Sequence, residues 1–233
     1  MEIYERSRRI LGDGSMTRLN GIRVLLLGVG GVGSWCAEAL VRTGVTHLTL
    51  VDPDVVGESN VNRQLMATTQ NVGQPKVLEM QKRLREINPN AEIEALQTAY
   101  TAENASIFDF EAYDFVIDAI DSLPDKLHLI LNVCRAERPV LLSSMGAALK
   151  MDGARVNVAE FWKVKGCPLA RALRQKMKAN QTFPAKKFRC VYSDEPRPED
   201  VKPCADGNGS LVHVTAVFGL RLAEEVVKNA TTR

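Results

Sequence analysis

The run Gly28-Val29-Gly30-Gly31-Val32-Gly33 stands between a continuous apolar stretch, 22–27, and a helical pattern, 34–43. Glycines in that setting permit a tight turn and let backbone N–H groups approach phosphate oxygens. The mouth of the following helix adds unpaired donors and the positive end of a dipole. Asp52 closes the next apolar stretch, 47–51, where a carboxylate accepts hydrogen bonds from ribose hydroxyls. These residues form a nucleotide cradle. Taken alone, it suits a nicotinamide dinucleotide as well as ATP.

The following segment separates the two. Asp52-Pro53-Asp54 leads into Glu58-Ser59-Asn60-Val61-Asn62-Arg63-Gln64, and Lys76 opens the next helical pattern. A hydride-transfer site needs an apolar slot and gains nothing from arginine and lysine beside the phosphates. Nucleotidyl transfer must stabilise charge on an α-phosphate under attack and on departing pyrophosphate. That calls for arginine, lysine and a metal ion held by a carboxylate. Asp118 and Asp121, in Asp-Ala-Ile-Asp-Ser at the end of the apolar stretch 115–120, are placed to hold magnesium.

The elements that must position these residues follow from periodicity. Strands are predicted over 22–27, 47–51, 92–96, 115–120 and 140–144, and helices over 34–43, 76–87 and 124–138. The polar segment 53–75 between them has no convincing period, and a loop of that length in a compact domain usually carries function. This order implies an α/β fold with a doubly wound, mostly parallel, Rossmann-like sheet and helices on both faces. Beyond residue 150 a half-exposed strand over 154–161, a basic helix over 169–179 and a closing helix over 214–228 are expected, with 183–209 rich in proline and charge. No boundary marks a second domain. The expectation is one adenylation-type domain over 1–233, with 1–150 as nucleotide-binding core and 151–233 as substrate-facing and C-terminal elements.

Bulk properties exclude several classes. Hydrophobic residues make up 45% and charged residues 25%, an ordinary globular balance rather than a disordered one. No apolar stretch approaches the ~20 residues needed to cross a bilayer, and the opening MEIYERSRRI is charged where a signal peptide would be apolar, so a cytoplasmic protein without membrane contact is expected. Cys36, Cys134, Cys167, Cys190 and Cys204 are odd in number and irregularly spaced, which argues against a disulfide framework. No Cys-x-x-Cys pair occurs, so no structural zinc is expected. His47, His128 and His213 lack metal-ligand spacing and are expected to be structural.

Gly-x-Gly-Gly-x-Gly, Val-Asp-x-Asp, Ser-Asn-x-Asn-Arg-Gln, Lys76 and Asp-x-x-Asp occur in an order and spacing that resemble the ThiF/MoeB/HesA superfamily, prokaryotic relatives of ubiquitin-activating enzymes. The resemblance implies an adenylating site using ATP and Mg2+. Gly28, Gly30, Gly31 and Gly33 would form the cradle with Asp52 and Asp54, and Asp52 would hold the ribose. Asn60, Arg63, Gln64 and Lys76 would contact the phosphates, and Asp121 would hold the magnesium. Ser7-Arg8-Arg9-Ile10-Leu11 looks like the family segment whose arginine reaches the partner subunit's ATP; Arg8 matches best, with Arg6 and Arg9 close in register. An arginine in trans implies a homodimer.

Members that activate ubiquitin-like sulfur carriers usually hold zinc with two Cys-x-x-Cys pairs, which this sequence lacks. Its short length, Arg-Arg-Ile-Leu-Gly, Val-Ile-Asp-Ala-Ile-Asp-Ser and a tail with Cys204-Ala-x-Gly-x-Gly before Val-Thr-Ala-Val-Phe-Gly resemble another branch. That branch adenylates the threonyl carboxylate of threonylcarbamoyladenosine in tRNA and closes a ring with loss of water. The alternative is adenylation of a sulfur carrier's C-terminal glycine. Family members are also linked to a cysteine desulfurase system, which makes Cys190 and Cys204 candidate thiols, although the dehydration needs none. Independently of the family, Lys163, Lys165, Arg171, Arg174, Lys176, Lys178, Lys186, Lys187 and Arg189 follow one another with no acid among them. Such a stripe fits a phosphate backbone, and Phe183 and Phe188 within it could stack on bases.

Overall fold

The computed structural model describes residues 2–198 and 208–232. Its centre is a seven-stranded sheet in the order β3-β2-β1-β4-β5-β7-β6, built from β1 (Arg23–Leu27), β2 (His47–Val51), β3 (Glu92–Leu96), β4 (Phe115–Asp118), β5 (Val140–Ser144), β6 (Val156–Glu160) and β7 (Arg189–Ser193). All neighbours pair in parallel except β6, which runs antiparallel to β7. Among the described residues seven α-helices accompany it: α1 (Glu5–Leu11), α2 (Asp13–Gly21), α3 (Gly33–Thr43), α4 (Lys76–Ile87), α5 (Leu123–Val133), α6 (Pro168–Ala179) and α7 (Val212–Thr231).

Strand alternation divides the core into two layers. Val24 and Leu26 face one cluster with Phe115, Ile117 and the apolar sides of α3, α4 and α7. Leu25, Leu27 and Val116 face the other, against α5 and α6. Both faces are therefore dry, which explains why these strands read as continuous apolar runs rather than as alternating ones. In α4 the buried positions Val77, Met80 and Leu84 recur at helical spacing, and Asn88-Pro89 ends the helix.

The doubly wound, mostly parallel sheet expected from the sequence is present, and the ranges of β2, β3, α4 and β5 agree with it. Four expectations need correction. The predicted strand 115–120 ends at Asp118, whose carboxylate turns inward and also accepts the Ile120 N–H. The helix predicted over 124–138 ends at Val133. There the Glu111 carboxylate takes the backbone N–H groups of Glu137 and Arg138 at 2.7 and 3.0 Å, and Arg138 pairs with Asp114, holding the chain in a turn. Helices α1 and α2 carry too little apolar periodicity to have been read from sequence. Strand β7 lies inside the segment read as proline- and charge-rich, and Cys190 and Val191 put it in the core.

Helix α7 braces the nucleotide end of the molecule. It packs closely on α3 because residue 219 is a glycine: a Cβ there would lie 2.4 Å from Val32 O and 2.8 Å from Cys36 N. The C-terminal helix thus presses against the mouth of the helix that follows the glycine turn.

Candidate active site

Between β1 and β4 the strand order reverses direction, and at the carboxyl ends of these strands lies a cavity of about 820 Å³. This is the switch point where open α/β sheets bind ligands. Its walls include Gly28, Gly30, Gly31, Asp52, Asp54, Arg63, Gln64, Lys76 and Asp121, which brings most of the expected residues together from five separate segments.

The glycines serve two different ends. Gly28 has φ 92°, and a Cβ there would meet Ala119 O at 2.6 Å; at Gly33 a Cβ would meet Gly28 O at 1.8 Å. These two close the turn against β4 and against itself, and Gly33 does not line the cavity. Gly30 and Gly31 do line it. Asp52 is buried, its Oδ2 accepting the Val29 N–H at 2.7 Å and its Oδ1 the Asp54 N–H at 2.9 Å. Burial pushes its carboxyl up from its ordinary value, against the pull of the Asp54 N–H and of Lys76.

The long segment after β2 is pinned to the glycine turn by side chains. Ser34 Oγ donates to Gly30 O at 2.7 Å and accepts the Leu65 N–H at 3.1 Å, and Trp35 Nε1 donates to Arg63 O at 3.1 Å. Arg63 itself donates from Nη1 to Ser59 O and Asn62 Oδ1, and its side chain packs over Gly31. The Gln64 amide is buried with Oε1 lacking a partner among the described residues and Nε2 beside Gly30. Lys76, buried at the start of α4, donates from Nζ to Asp54 Oδ2 at 2.7 Å. Asn60 does not line the cavity. Its Oδ1 accepts the Gly57 N–H at 3.0 Å and shapes the loop.

The two candidate magnesium ligands have different fates. Asp121 is exposed and lines the cavity, with Asp125 near it on the same wall. Asp118 is fully buried. Its Oδ1 takes Lys126 Nζ at 2.7 Å and its Oδ2 takes Ser143 Oγ at 2.6 Å, while Lys126 also donates to Ile120 O at 2.9 Å. Asp118 is therefore committed to a buried ion pair under the loop that carries Asp121. Sequence reading missed Lys126 because a lysine one turn into a helix gives no sign of being inside. It missed Ser34 for a similar reason, since a serine at a helix start reads only as a cap. The Thr98-Ala99-Tyr100 wall of the cavity also carries no motif.

Arg8 lies on α1, exposed, pairing with Asp13 at 3.2 Å and Glu5 at 3.9 Å, and does not line its own chain's cavity; nor do Arg6 and Arg9. Cys36, Cys134, Cys167 and Cys190 are free and buried. Burial pushes the Cys134 thiol up to about 11 and Cys190 well above its ordinary value, so neither is a thiolate at neutral pH. Cys204 and most of the tail motif lie outside the described residues. In the basic segment Arg174 donates to Phe161 O, Lys186 to Glu137 O, and Arg189 pairs with Glu225, leaving six cations exposed without a carboxylate partner among the described residues. Phe188 is no stacking surface: it is buried against Phe161, with centroids 4.9 Å apart. Phe183 is exposed.

The sequence profile of the ThiF family matches residues 4–233. A tRNA threonylcarbamoyladenosine dehydratase from Bacillus subtilis is 41% identical over 192 residues, covering 82% of this chain and 74% of the relative. The Escherichia coli tRNA N6-threonylcarbamoyladenosine dehydratase TcdA, solved in complex with ATP, superposes with a TM-score of 0.90 at 32% identity, covering 98% of this chain and 93% of that one. Its complex with AMP gives 0.89 at 34% identity, covering 98% and 94%.

Proposed function

We infer that this chain, which belongs to the ThiF family, carries out the ATP-dependent dehydration of threonylcarbamoyladenosine in tRNA. One observation carries the reading. The cavity at the switch point joins a glycine turn, Asp52, Arg63, Lys76 and Asp121 in a single wall, which is what adenylation of a carboxylate requires.

The N–H groups around Gly30 and Gly31 at the mouth of α3 receive the phosphates, and Asp52 receives the ribose. Arg63, Gln64 and Lys76 face the charge that grows on the α-phosphate and on departing pyrophosphate. Asp54 holds Lys76 in place. The threonyl carboxylate attacks the α-phosphorus and pyrophosphate leaves. The neighbouring carbamoyl group then attacks the activated carbonyl, gives up a proton, and AMP departs with the carboxylate oxygen. The nucleoside loses the elements of water, and ATP becomes AMP and pyrophosphate. Among the described residues no three His, Cys, Asp or Glu side chains converge on a metal-sized site. Magnesium held by one or two carboxylates plus substrate phosphates needs no such cage, so the donor set fits. Asp121 would hold the ion, which neutralises phosphate charge when bound.

Arg8, exposed and not lining its own chain's cavity, suits a role in the cavity of a second copy, and the active species in this reading is a homodimer. Residues 1–233 act as one adenylation domain, because β6 and β7 extend the same sheet as the nucleotide-binding strands. We place the enzyme in the cytoplasm with its tRNA; among the described residues no helix is long and apolar enough to cross a membrane. Dehydration uses no thiol. Any dealing with a cysteine desulfurase would involve docking rather than sulfur transfer to the four described cysteines, which are buried. The test is incubation of the protein with ATP, magnesium and tRNA carrying threonylcarbamoyladenosine, followed by mass analysis of the nucleosides. A nucleoside lighter by one water is expected. Unchanged tRNA, with AMP formed only when a small sulfur-carrier protein is added, would mean the alternative is right.

A further inference from the structure

The edge of the molecule beyond β6 carries a feature that adenylation does not use. Trp162 sits on the single turn Phe161–Lys163 with 42% of its surface exposed, and Phe183 is 53% exposed. Their ring centroids are 6.1 Å apart at 47°. Large aromatics in contact with each other and with water are unusual on a protein of neutral balance, and this pair is built rather than loose. Trp162 packs edge-on against buried Phe161 at 5.2 Å, and Phe161 stacks on Phe188 with the Arg174 guanidinium 5.6 Å over its ring. Phe183 is brought back to Trp162 by a tight turn at the end of α6, where Gln181 adopts φ 51° and the Thr182 N–H bonds to Met177 O at 3.0 Å.

Charge selects the partner. Lys163 and Lys165 follow Trp162, Lys187 follows Phe183 by four residues, and Arg171, Lys176 and Lys178 lie along α6. All six are exposed, and none pairs with a carboxylate of a described residue. Aromatic faces interleaved with free cations suit single-stranded nucleic acid, whose bases stack while its phosphates are neutralised. The opposite end of α6 reaches the active site, where Leu169 lines the cavity beside Gly146. A helix of that length spans roughly 18 Å, so α6 forms a cationic path from the cavity toward the aromatic pair.

We propose that Trp162 and Phe183 form a stacking platform for an unpaired base of the RNA whose modified nucleotide occupies the cavity, with the α6 cations following the intervening phosphates. This rests on the tRNA reading of the cavity. The base lies on the exposed face of the pair rather than between the rings, since a sandwich needs about 7 Å, twice a ring-to-ring contact.

The test has two arms. In turnover, Trp162→Ala and Phe183→Ala are each expected to raise KM for tRNA about tenfold, the loss of one base–aromatic stack, while KM for ATP stays unchanged and Trp162→Phe recovers most of the loss. In binding, an RNA stem-loop is expected to quench Trp162 emission, read as the difference between the wild type and Trp162→Phe, which keeps only Trp35. A duplex of equal length without a loop should quench little. An unchanged KM for tRNA, equal quenching by duplex and stem-loop, or loss of dimers in the alanine variants on sedimentation would overturn the platform, the last by making this face a protein interface. If wild type turns over no tRNA, the reading of the cavity fails, and the quenching arm still decides the platform.

Discussion

The cavity at the switch point and the basic edge beyond β6 are made in different ways. The cavity is built from backbone: glycines that let chains approach, N–H groups at a helix mouth, and a few charged side chains fixed by their neighbours. Its residues lie in short contiguous motifs because a turn between a strand and a helix is a local object. The basic edge is built from side chains alone, spread over the segment after β6, α6 and the segment before β7, and which of them face water is decided by distant packing. Chemistry that depends on local backbone geometry leaves a mark in sequence, whereas a surface that depends on tertiary packing leaves only composition.

The sharpest way to break this contrast is to attack the buried ion pair behind the Ile120–Asp121 wall of the cavity, where a side chain invisible in sequence is expected to matter most. Lys126→Met leaves Asp118 buried and unpaired, and should cost about 3–5 kcal/mol of stability, measured by urea denaturation. Changing Asp118→Asn as well should recover much of the loss. A single variant as stable as wild type would show that the pair does not hold that wall.

Within the basic edge, two phenylalanines that sequence alone cannot rank should part company. Phe188→Ala removes a ring stacked in the core and should cost roughly 3–5 kcal/mol, whereas Phe183→Ala, at the surface, should stay within about 0.5 kcal/mol. Equal losses would mean that the edge is packed as the core is.

Lys76→Ala and Asp121→Ala test the cavity as a chemical site. Each should lower the rate of AMP release about 10²–10³-fold with little change in melting temperature for Asp121→Ala, which is exposed. Arg8→Ala should be similarly inactive, yet mixing it with Lys76→Ala should restore part of the activity if the arginine acts across a dimer. No recovery on mixing would place Arg8 in its own chain's site or nowhere near one.

The smallest effect concerns the buried thiols. The folded protein keeps the Cys134 proton up to about 11, while an unfolded thiol gives it up near 8.5. Between those values the unfolded chain binds fewer protons, so stability should decline as pH rises through that window. Cys134→Ser should flatten the alkaline slope of the urea midpoint, and an unchanged slope would show that the thiol is not desolvated.

Much of the fold was legible in sequence because the central strands, buried on both faces, read as short continuous apolar runs, while the helices between them are amphipathic with a helical period. The N-terminal helices were not, since α1 buries no residue of its own and α2 buries only Met16 and Leu19. Strand β7 was hidden among prolines and charges. Gly28, Gly30, Gly31, Asp52, Arg63, Gln64, Lys76 and Asp121, which motif and spacing single out, line one cavity. Identity hides environment at two places: Asp118 looked like a ligand and is half of a buried ion pair, and Phe188 looked like a platform and is core.

The adenylation step is tested most directly with tRNA whose threonylcarbamoyl carboxylate carries oxygen-18. Attack of that carboxylate on the α-phosphorus, followed by ring closure, delivers one labelled oxygen to each AMP released. Label in inorganic phosphate or in water, with unlabelled AMP, would contradict the account.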